Sequence, residues 1–172
     1  AIEHALSSPV GLQGDQTRSD FEDVAKSYAW ASGRKSACIA ICDITRPVPN
    51  RLFLKPVIDI LLANGVPQDE ICVLVATGLH RPNRGAELQE LIGDEWVLEN
   101  IRIKNHDARN DAEHVFVGKT PTRGTVVKLD QSFVRADLKI ATGLVEPHFM
   151  AGYSGGRKVI APGVAHAETI TT

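Results

Sequence analysis

Residues 138–158 read LKIATGLVEPHFMAGYSGGRK, an apolar run followed by a polar, glycine-rich segment. The apolar part, residues 138–145, is typical of a buried β-strand. The polar part brings a histidine, His148, two adjacent glycines and a lysine, Lys158, onto one short connection. Loops at the ends of buried strands hold binding and catalytic groups on a rigid scaffold, so this segment predicts a functional site.

Two earlier segments have the same arrangement of an apolar run and a polar ending. The run at residues 71–76 is followed shortly by His80, and the run at residues 37–42 is followed by Arg46. The carboxyl ends of parallel strands meet at one edge of a sheet, where ligands bind. We therefore predict that these two side chains lie close to His148.

Apolar runs alternate with helix-like segments along most of the chain, whose 172 residues suit a single domain. Such alternation predicts an α/β fold, in which a mostly parallel central sheet has helices on both faces, a Rossmann-like three-layer domain over residues 1–172. Of the predicted strands, we expect residues 138–141 to be buried and residues 101–105 to lie nearer an edge. The patterns place strands at 36–42, 71–76, 101–105, 114–118, 125–129 and 138–141, and helices at 19–30, 49–63, 85–92 and from 162 or 165 onward.

Composition excludes several classes of protein. The formal net charge of -2 offers no basic surface for nucleic acid or an anionic membrane. No apolar run approaches the roughly 20 residues that span a bilayer. Cys38, Cys42 and Cys72 all fall in predicted strands, where we expect them to fill the core rather than bind metal. An odd number of buried thiols indicates a reducing compartment, the cytoplasm.

The glycine-rich segment and Arg46 each admit two interpretations. Gly155 and Gly156 can present backbone N–H groups to an anion, but a tight turn also requires glycine. The segment matches neither the Walker phosphate loop nor the dinucleotide fingerprint. Arg46 can bind a carboxylate through two parallel N–H groups, or it can form an ion pair with Asp43 across its own turn.

The six histidines differ in how strongly the sequence indicates a functional role for them. His80 and His148 occupy equivalent strand ends, and histidine titrates near neutral pH, so the two suggest a pair of acid/base groups. A single histidine at the end of a strand usually has a structural role. The remaining four lie in segments with weaker signals and are weak ligand candidates: His4, His106, His114 and His166.

Three motifs together resemble the N-terminal domain of the nickel-dependent lactate racemase family. They read DITRPVP at residues 43–49, ATGLHRP at 76–82 and EPHFMAGYSGGRK at 146–158. Their order and spacing fit over almost the whole chain, and the third motif is long and specific. The resemblance implies an isomerase, a racemase or epimerase that acts on a 2-hydroxy acid of the lactate type.

The resemblance also implies a cofactor and its attachment. Family members hold a nickel-pincer nucleotide on a lysine through a thioamide bond, and Lys158 occupies that position, with Gly155 and Gly156 beside the cofactor. The family's nickel-binding histidine would fall beyond Thr172, and His166 is too close to the lysine to replace it. We therefore expect no metal ligand within these residues, and we expect the cofactor to be absent from this fragment.

Within the resemblance, His80 and His148 match the two catalytic histidines. Arg46 matches the arginine that binds the substrate carboxylate, and Asp43 and Thr45 beside it are expected to bind substrate with it. The Cα proton of a 2-hydroxy acid is very weakly acidic, because the neighbouring carboxylate is already charged. Removing a hydride while a histidine takes the hydroxyl proton avoids a carbanion, and two histidines would serve the two enantiomers.

The resemblance further implies partners. A C-terminal domain closes over the substrate in such enzymes, and separate enzymes build the cofactor. The chain begins without methionine and ends inside a helix-like pattern, so we expect a fragment of a longer two-domain enzyme, inactive by itself. The alternative from the residues alone is a non-catalytic nucleotide- or anion-binding α/β module.

Overall fold

The computed structural model of the chain describes residues 28–172. Within them the strands are β1 (Ala37–Cys42), β2 (Ile71–Ala76), β3 (Arg102–Asn105), β4 (His114–Lys119), β5 (Val126–Asp130), β6 (Leu138–Ala141), β7 (Pro147–His148) and β8 (Gly152–Tyr153). The α-helices are α1 (Asn50–Ala63), α2 (Ala86–Ile92), α3 (Glu95–Asn100), α4 (Gln131–Arg135), α5 (Arg157–Ile160) and α6 (Ala167–Ile170). The helix predicted at 19–30 and His4 lie outside the described residues, except that 28–30 form a turn.

Four strands of the described part form a parallel sheet in the order β3–β2–β1–β6. Every residue of β1 is buried, as is typical of a continuous apolar run at the centre of a parallel sheet. The predicted α/β class is confirmed. The predicted hairpin is also present, because β4 and β5 pair antiparallel beside the sheet.

The long helix α1 covers one face of the sheet together with α2 and α3. Its buried residues Leu54, Ile58 and Leu61 pack with Ile39 and neighbouring side chains of β1 and β2. Each buried side chain of this size contributes roughly 1.5–3 kcal/mol. Their sum exceeds the cost of about 3 kcal/mol for a proline inside a helix, so α1 continues through Pro56.

Smaller residues and shorter helices cover the opposite face. Cys38 and Cys42 point to this side and pack near Phe133 of α4 and Val159 of α5. All three cysteines are free and buried, as predicted for core residues. Small side chains on the sheet allow these two short helices to approach it closely. Among residues 28–172, no helix combines the length and apolar character needed to cross a membrane.

Two predictions about the chain after residue 130 are wrong. Strand β6 alternates between half-buried and exposed residues instead of being buried, because within residues 28–172 it lies at the sheet edge and pairs with β1 alone. The last helix begins at Ala167 rather than at 162 or 165. The hydrophobic pattern also did not predict α3, α4 and α5, because helices this short contain too few turns to give a periodic signal. Asp94 and Asp130, whose side chains cap α3 and α4, were the available signals.

Candidate functional site

The carboxyl ends of β1 and β2 and the segment after β6 surround a cavity of about 220 Å³. This is the edge at which parallel α/β sheets bind ligands. Predicted site residues from all three segments therefore meet, although up to 115 positions separate them in the chain. Those that line the cavity are Asp43, Thr45, Arg46, His80, Gly155 and Lys158.

A buried carboxylate orients the first histidine. Asp43 is 5% exposed, and its Oδ2 lies 2.6 Å from Nδ1 of His80. Its Oδ1 accepts hydrogen bonds from the backbone N–H and the hydroxyl of Thr45. Because an ionised carboxylate can only accept, Nδ1 of His80 holds the proton and Nε2 presents its lone pair. His80 is thereby set up as a proton acceptor, and Asp43 is engaged with this histidine.

A buried asparagine ties the loops that hold this pair. Asn83 accepts a hydrogen bond from the backbone N–H of Ile44 at 3.2 Å, and its own backbone N–H donates to the side chain of Asn105 at 2.8 Å. Its side-chain amide donates to Glu87, which also forms a two-pronged ion pair with Arg81. The loops that follow β1 and β2 and the last residue of β3 are thus linked by hydrogen bonds beside the site.

Arg46 pairs with a carboxylate from the segment after β6. Its Nη1 lies 3.3 Å from Oε1 of Glu146. The alternative interpretation, an ion pair between Arg46 and Asp43, is wrong: Arg46 pairs with Glu146, while Asp43 contacts His80 and Thr45. Within residues 28–172, Arg46 therefore reaches the cavity with its guanidinium held through a single contact.

Lys158 lies in α5 and lines the cavity. Its backbone N–H donates to the carbonyl of Gly155 at 2.9 Å, and its carbonyl accepts from Gly163 at 3.1 Å. In the part of the chain that the structure describes, no hydrogen bond or ion pair engages its amine. A lysine with an unengaged amine in a cavity suits covalent attachment of a ligand.

The two predicted cofactor glycines differ in their surroundings. A Cβ on Gly155 would lie 2.8 Å from the carbonyl oxygen of Leu144, so glycine here permits two backbone segments to touch. Gly156 has a φ of +47° and open space where its Cβ would be, and it lies outside the cavity lining. Buried Ser154 secures this turn: its hydroxyl donates to Leu144 and accepts from the backbone N–H of Glu146.

The second histidine lies in the small hairpin of β7 and β8 and does not line the cavity. Nδ1 of His148 accepts hydrogen bonds from the backbone N–H groups of Met150 and Ala151, each at 3.2 Å. The neutral ring therefore holds its proton on Nε2, the reverse of His80. Loss of solvation, followed by the charges of Lys158 and Arg46, lowers the pKa of His148 and favours this neutral form.

Sequence reasoning did not single out two residues that belong to this site. Thr77 lines the cavity, and its hydroxyl donates to the carbonyl of His106 at 2.8 Å. Glu146 provides the partner of Arg46. Both occur inside quoted motifs, and the negative charge of Glu146 next to His148 was the signal that could have identified it.

Three of the weaker histidine candidates, His106, His114 and His166, form a separate row of rings. His114 contacts His106 and His166, with ring centroids 5.1 Å and 4.9 Å apart. Burial lowers the pKa of His106 to about 4, so this ring is neutral. Nowhere in residues 28–172 do three or more histidine, cysteine or acidic side chains form a group able to hold a metal ion.

The fold is a parallel α/β domain in which a carboxylate-oriented histidine, an arginine and an unengaged lysine surround one cavity, an arrangement whose charges suit an anionic ligand. The model of the family "lactate racemase N-terminal domain" matches residues 1–172. The chain belongs to this family, which confirms the resemblance of the three motifs.

Relatives of this chain agree with the family assignment. Lactate racemases of Thermoanaerobacterium thermosaccharolyticum and Lactiplantibacillus plantarum are each 34% identical to it over 169 residues, which are 98% of this chain and 36% of each relative. The chain thus spans about 36% of the length of these curated relatives. The lactate racemase apoprotein structure of the first organism superposes with a TM-score of 0.82, at 34% identity, covering 98% of this chain and 37% of that one. A Thermotoga maritima protein superposes with a TM-score of 0.70, at 26% identity, over 87% of this chain and 38% of that protein.

Proposed function

We propose that this chain is the cofactor-tethering domain of a racemase or epimerase that acts on lactate or a related 2-hydroxy acid. The observation that supports this most directly is the convergence of Arg46, His80 and Lys158 on one cavity. Each of the three supplies a different requirement of such a reaction: a carboxylate partner, a proton acceptor and a point of covalent attachment.

In this proposal Arg46 binds the substrate carboxylate. A guanidinium offers five N–H donors in a rigid plane, and the single contact to Glu146 leaves donors free for a second carboxylate. A two-pronged grip fixes the plane of the carboxylate and so limits where the adjacent hydroxyl can lie. Binding through Arg46 would place that hydroxyl within the cavity that His80 also lines.

His80 then accepts the hydroxyl proton at Nε2. Asp43 keeps the proton of the resting ring on Nδ1 and stabilises the imidazolium that forms. We assign Asp43 as a positioning residue, because its oxygens are engaged with His80 and Thr45. Thr45 in turn fixes the direction of that carboxylate.

We assign His148 to the opposite enantiomer. Its resting tautomer can donate a hydrogen bond from Nε2 to a substrate oxygen. To accept a proton at Nε2, the ring must exchange tautomers, and the N–H groups of Met150 and Ala151 must release Nδ1. Substrate binding would therefore have to move the β7–β8 hairpin for this half of the reaction.

Lys158 is the residue that would hold a nickel-pincer nucleotide through a thioamide bond. The fit is good, because its amine is unengaged among the described residues and lies in the cavity with Arg46 and His80. The chemistry that such a cofactor supplies when bound is acceptance and return of a hydride. We assign the nickel ligand to a histidine beyond Thr172, where the resemblance implies it.

The remaining components are also proposals. The side chain of His80 is 61% exposed, and exclusion of water from the reaction requires a cover, which we assign to a C-terminal domain. Enzymes that build and attach the cofactor would be transient partners. The three free thiols support a cytoplasmic location.

The test is racemisation by the full-length protein, produced together with cofactor-building enzymes. We expect D-lactate, or a related 2-hydroxy acid, to convert to a mixture of enantiomers on chiral chromatography, and we expect Lys158→Arg to abolish the conversion. Conversion that survives Lys158→Arg would contradict the tethering role. Binding of 2-hydroxy acids without any conversion would favour a non-catalytic anion-binding module.

A further inference from the structure

Glu146 presents to Arg46 the same chemical group that the substrate would present. Its Oε1 lies 3.3 Å from Nη1 of Arg46, and no other hydrogen bond or ion pair of the Glu146 carboxylate occurs among residues 28–172. The contact is single and partly open to solvent, since the side chains of Arg46 and Glu146 are 28% and 37% exposed. Arg46, the residue proposed to bind the substrate carboxylate, therefore already contacts a carboxylate of the chain itself.

The backbone of Glu146 is fixed although its side chain is not. Its N–H donates to the hydroxyl of Ser154 at 3.1 Å, and its carbonyl accepts from the N–H of Ser154 at 2.9 Å. Ser154 is 3% exposed and also bonds to Leu144. The backbone of Glu146 is therefore rigid, while its side chain can change rotamer and leave Arg46 without disturbing the turn.

Asp43 lines the same cavity and is a carboxylate with fixed partners, which makes it a comparison for Glu146. It is buried, and it is engaged with His80 and with two donors of Thr45. Among the described residues Glu146 has one partner and is partly exposed, and an ion pair of that kind contributes little stabilisation. A two-pronged carboxylate–guanidinium pair is stronger, so a ligand that makes both contacts can replace Glu146.

We propose that Glu146 is an internal carboxylate ligand of Arg46, and that the incoming substrate carboxylate replaces it. This inference rests on the proposed function, in which Arg46 binds the substrate. Before substrate arrives, Glu146 balances the positive charge that Arg46 and Lys158 place around the cavity. It keeps the guanidinium at the cavity wall and competes with weak anions, so that only a carboxylate able to use both prongs displaces it.

The consequence is that Glu146 weakens substrate binding. Removal of its charge should strengthen the binding of a carboxylate, the opposite of what damage to the site would do. The probe is propionate, a monocarboxylate without the reactive hydroxyl, titrated into the full-length protein by calorimetry. We expect Glu146→Gln to lower the Kd of propionate by about two- to fivefold, the range of an exposed ion pair.

Glu87→Gln is the matched control. It also removes one negative charge from an exposed arginine–glutamate pair near the site, here with Arg81, and glutamine keeps an oxygen for the amide of Asn83. We expect it to leave the Kd of propionate unchanged. An equal gain in both variants would mean that net charge alone sets affinity, and it would overturn the proposal.

Arg46→Gln separates this inference from the proposed function. We expect it to abolish propionate binding in the wild-type and Glu146→Gln backgrounds. If Arg46→Gln abolishes binding but Glu146→Gln leaves the Kd unchanged or raises it, the exchange is overturned, while Arg46 remains the carboxylate ligand. If propionate binding survives Arg46→Gln, or is absent even in Glu146→Gln, the carboxylate site at Arg46 and the exchange fail together.

Discussion

Asp43 and His80 follow two different strands, yet their side chains meet with Oδ2 and Nδ1 2.6 Å apart. The register of the sheet explains this, because Cys42 at the end of β1 lies beside Ala76 at the end of β2. Asp43 follows the first of these residues directly, and His80 follows the second after a short turn. The orientation of the proposed base is therefore a consequence of strand pairing.

This pairing makes Asp43 a sensitive position. Asp43→Asn should lower kcat/KM by about 10²–10⁴-fold, because an amide can donate to Nδ1 of His80 and leave the proton on Nε2. Thr45→Val, which keeps the carboxylate but removes one hydroxyl contact, should cost about tenfold or less. Steady-state kinetics measure kcat/KM, and urea unfolding of both variants checks that the fold is retained. Equal, small losses in both variants would assign Asp43 to folding alone.

Arg46→Lys should weaken substrate binding and leave the cofactor in place. Lysine keeps the charge but loses the planar, two-pronged grip, at a cost of roughly 1–3 kcal/mol, or about 5- to 150-fold in KM. Steady-state kinetics measure KM, and mass spectrometry checks that Lys158 remains modified. An unchanged KM would mean that the pair with Glu146 is only a structural ion pair.

The fold was predictable where burial dominates. The runs of β1 and β2 are apolar throughout because both faces are covered, and the motif after each run marks the sheet edge that holds the site. Strand β6 was harder to judge, since an edge strand tolerates apolar residues without burying them. The helices α3, α4 and α5 are too short for a periodic signal.

The contacts and tautomers within the site depend on how the chain folds, so local sequence patterns do not predict them. The partner of Arg46 is Glu146, which lies far along the chain and meets it only because β6 pairs with β1. The tautomer of His148 follows from two backbone N–H groups in its own hairpin. Residue identity suggested an acid/base group there, but only the folded turn reveals which nitrogen holds the proton.

The two histidines should divide the enantiomers between them. In the full-length, cofactor-loaded protein, His80→Ala and His148→Ala should each reduce racemisation by about 10²–10⁴-fold. Each variant should still process one enantiomer in a single half-reaction. Rapid mixing with D- or L-lactate should therefore give a spectral change with one enantiomer in one variant and with the other enantiomer in the second. The same response in both variants would contradict the division, and normal racemisation in either would return that histidine to a structural role.

His106 should make stability depend on pH. Its pKa is lowered to about 4 in the folded protein, against about 6.5 in the unfolded chain, so the unfolded state binds more protons between these values. This contribution is present above pH 6.5 and is lost as pH falls toward 4. Between pH 7 and pH 5 we expect protonation linked to His106 to lower the free energy of unfolding by about 2 kcal/mol. Urea unfolding should show that loss in the wild type but not in His106→Gln, and identical pH slopes would contradict the assignment.

The attachment of a cofactor at Lys158 is the central claim, and peptide mass spectrometry tests it most directly. The full-length protein, made together with cofactor-building enzymes, should yield a peptide containing Lys158 that has gained the mass of a nucleotide adduct. Lys158→Arg should yield only the unmodified peptide, because a guanidinium cannot form the thioamide. The amount of adduct should rise in proportion to the racemisation rate across preparations. A preparation that racemises a 2-hydroxy acid while Lys158 remains unmodified would contradict the account.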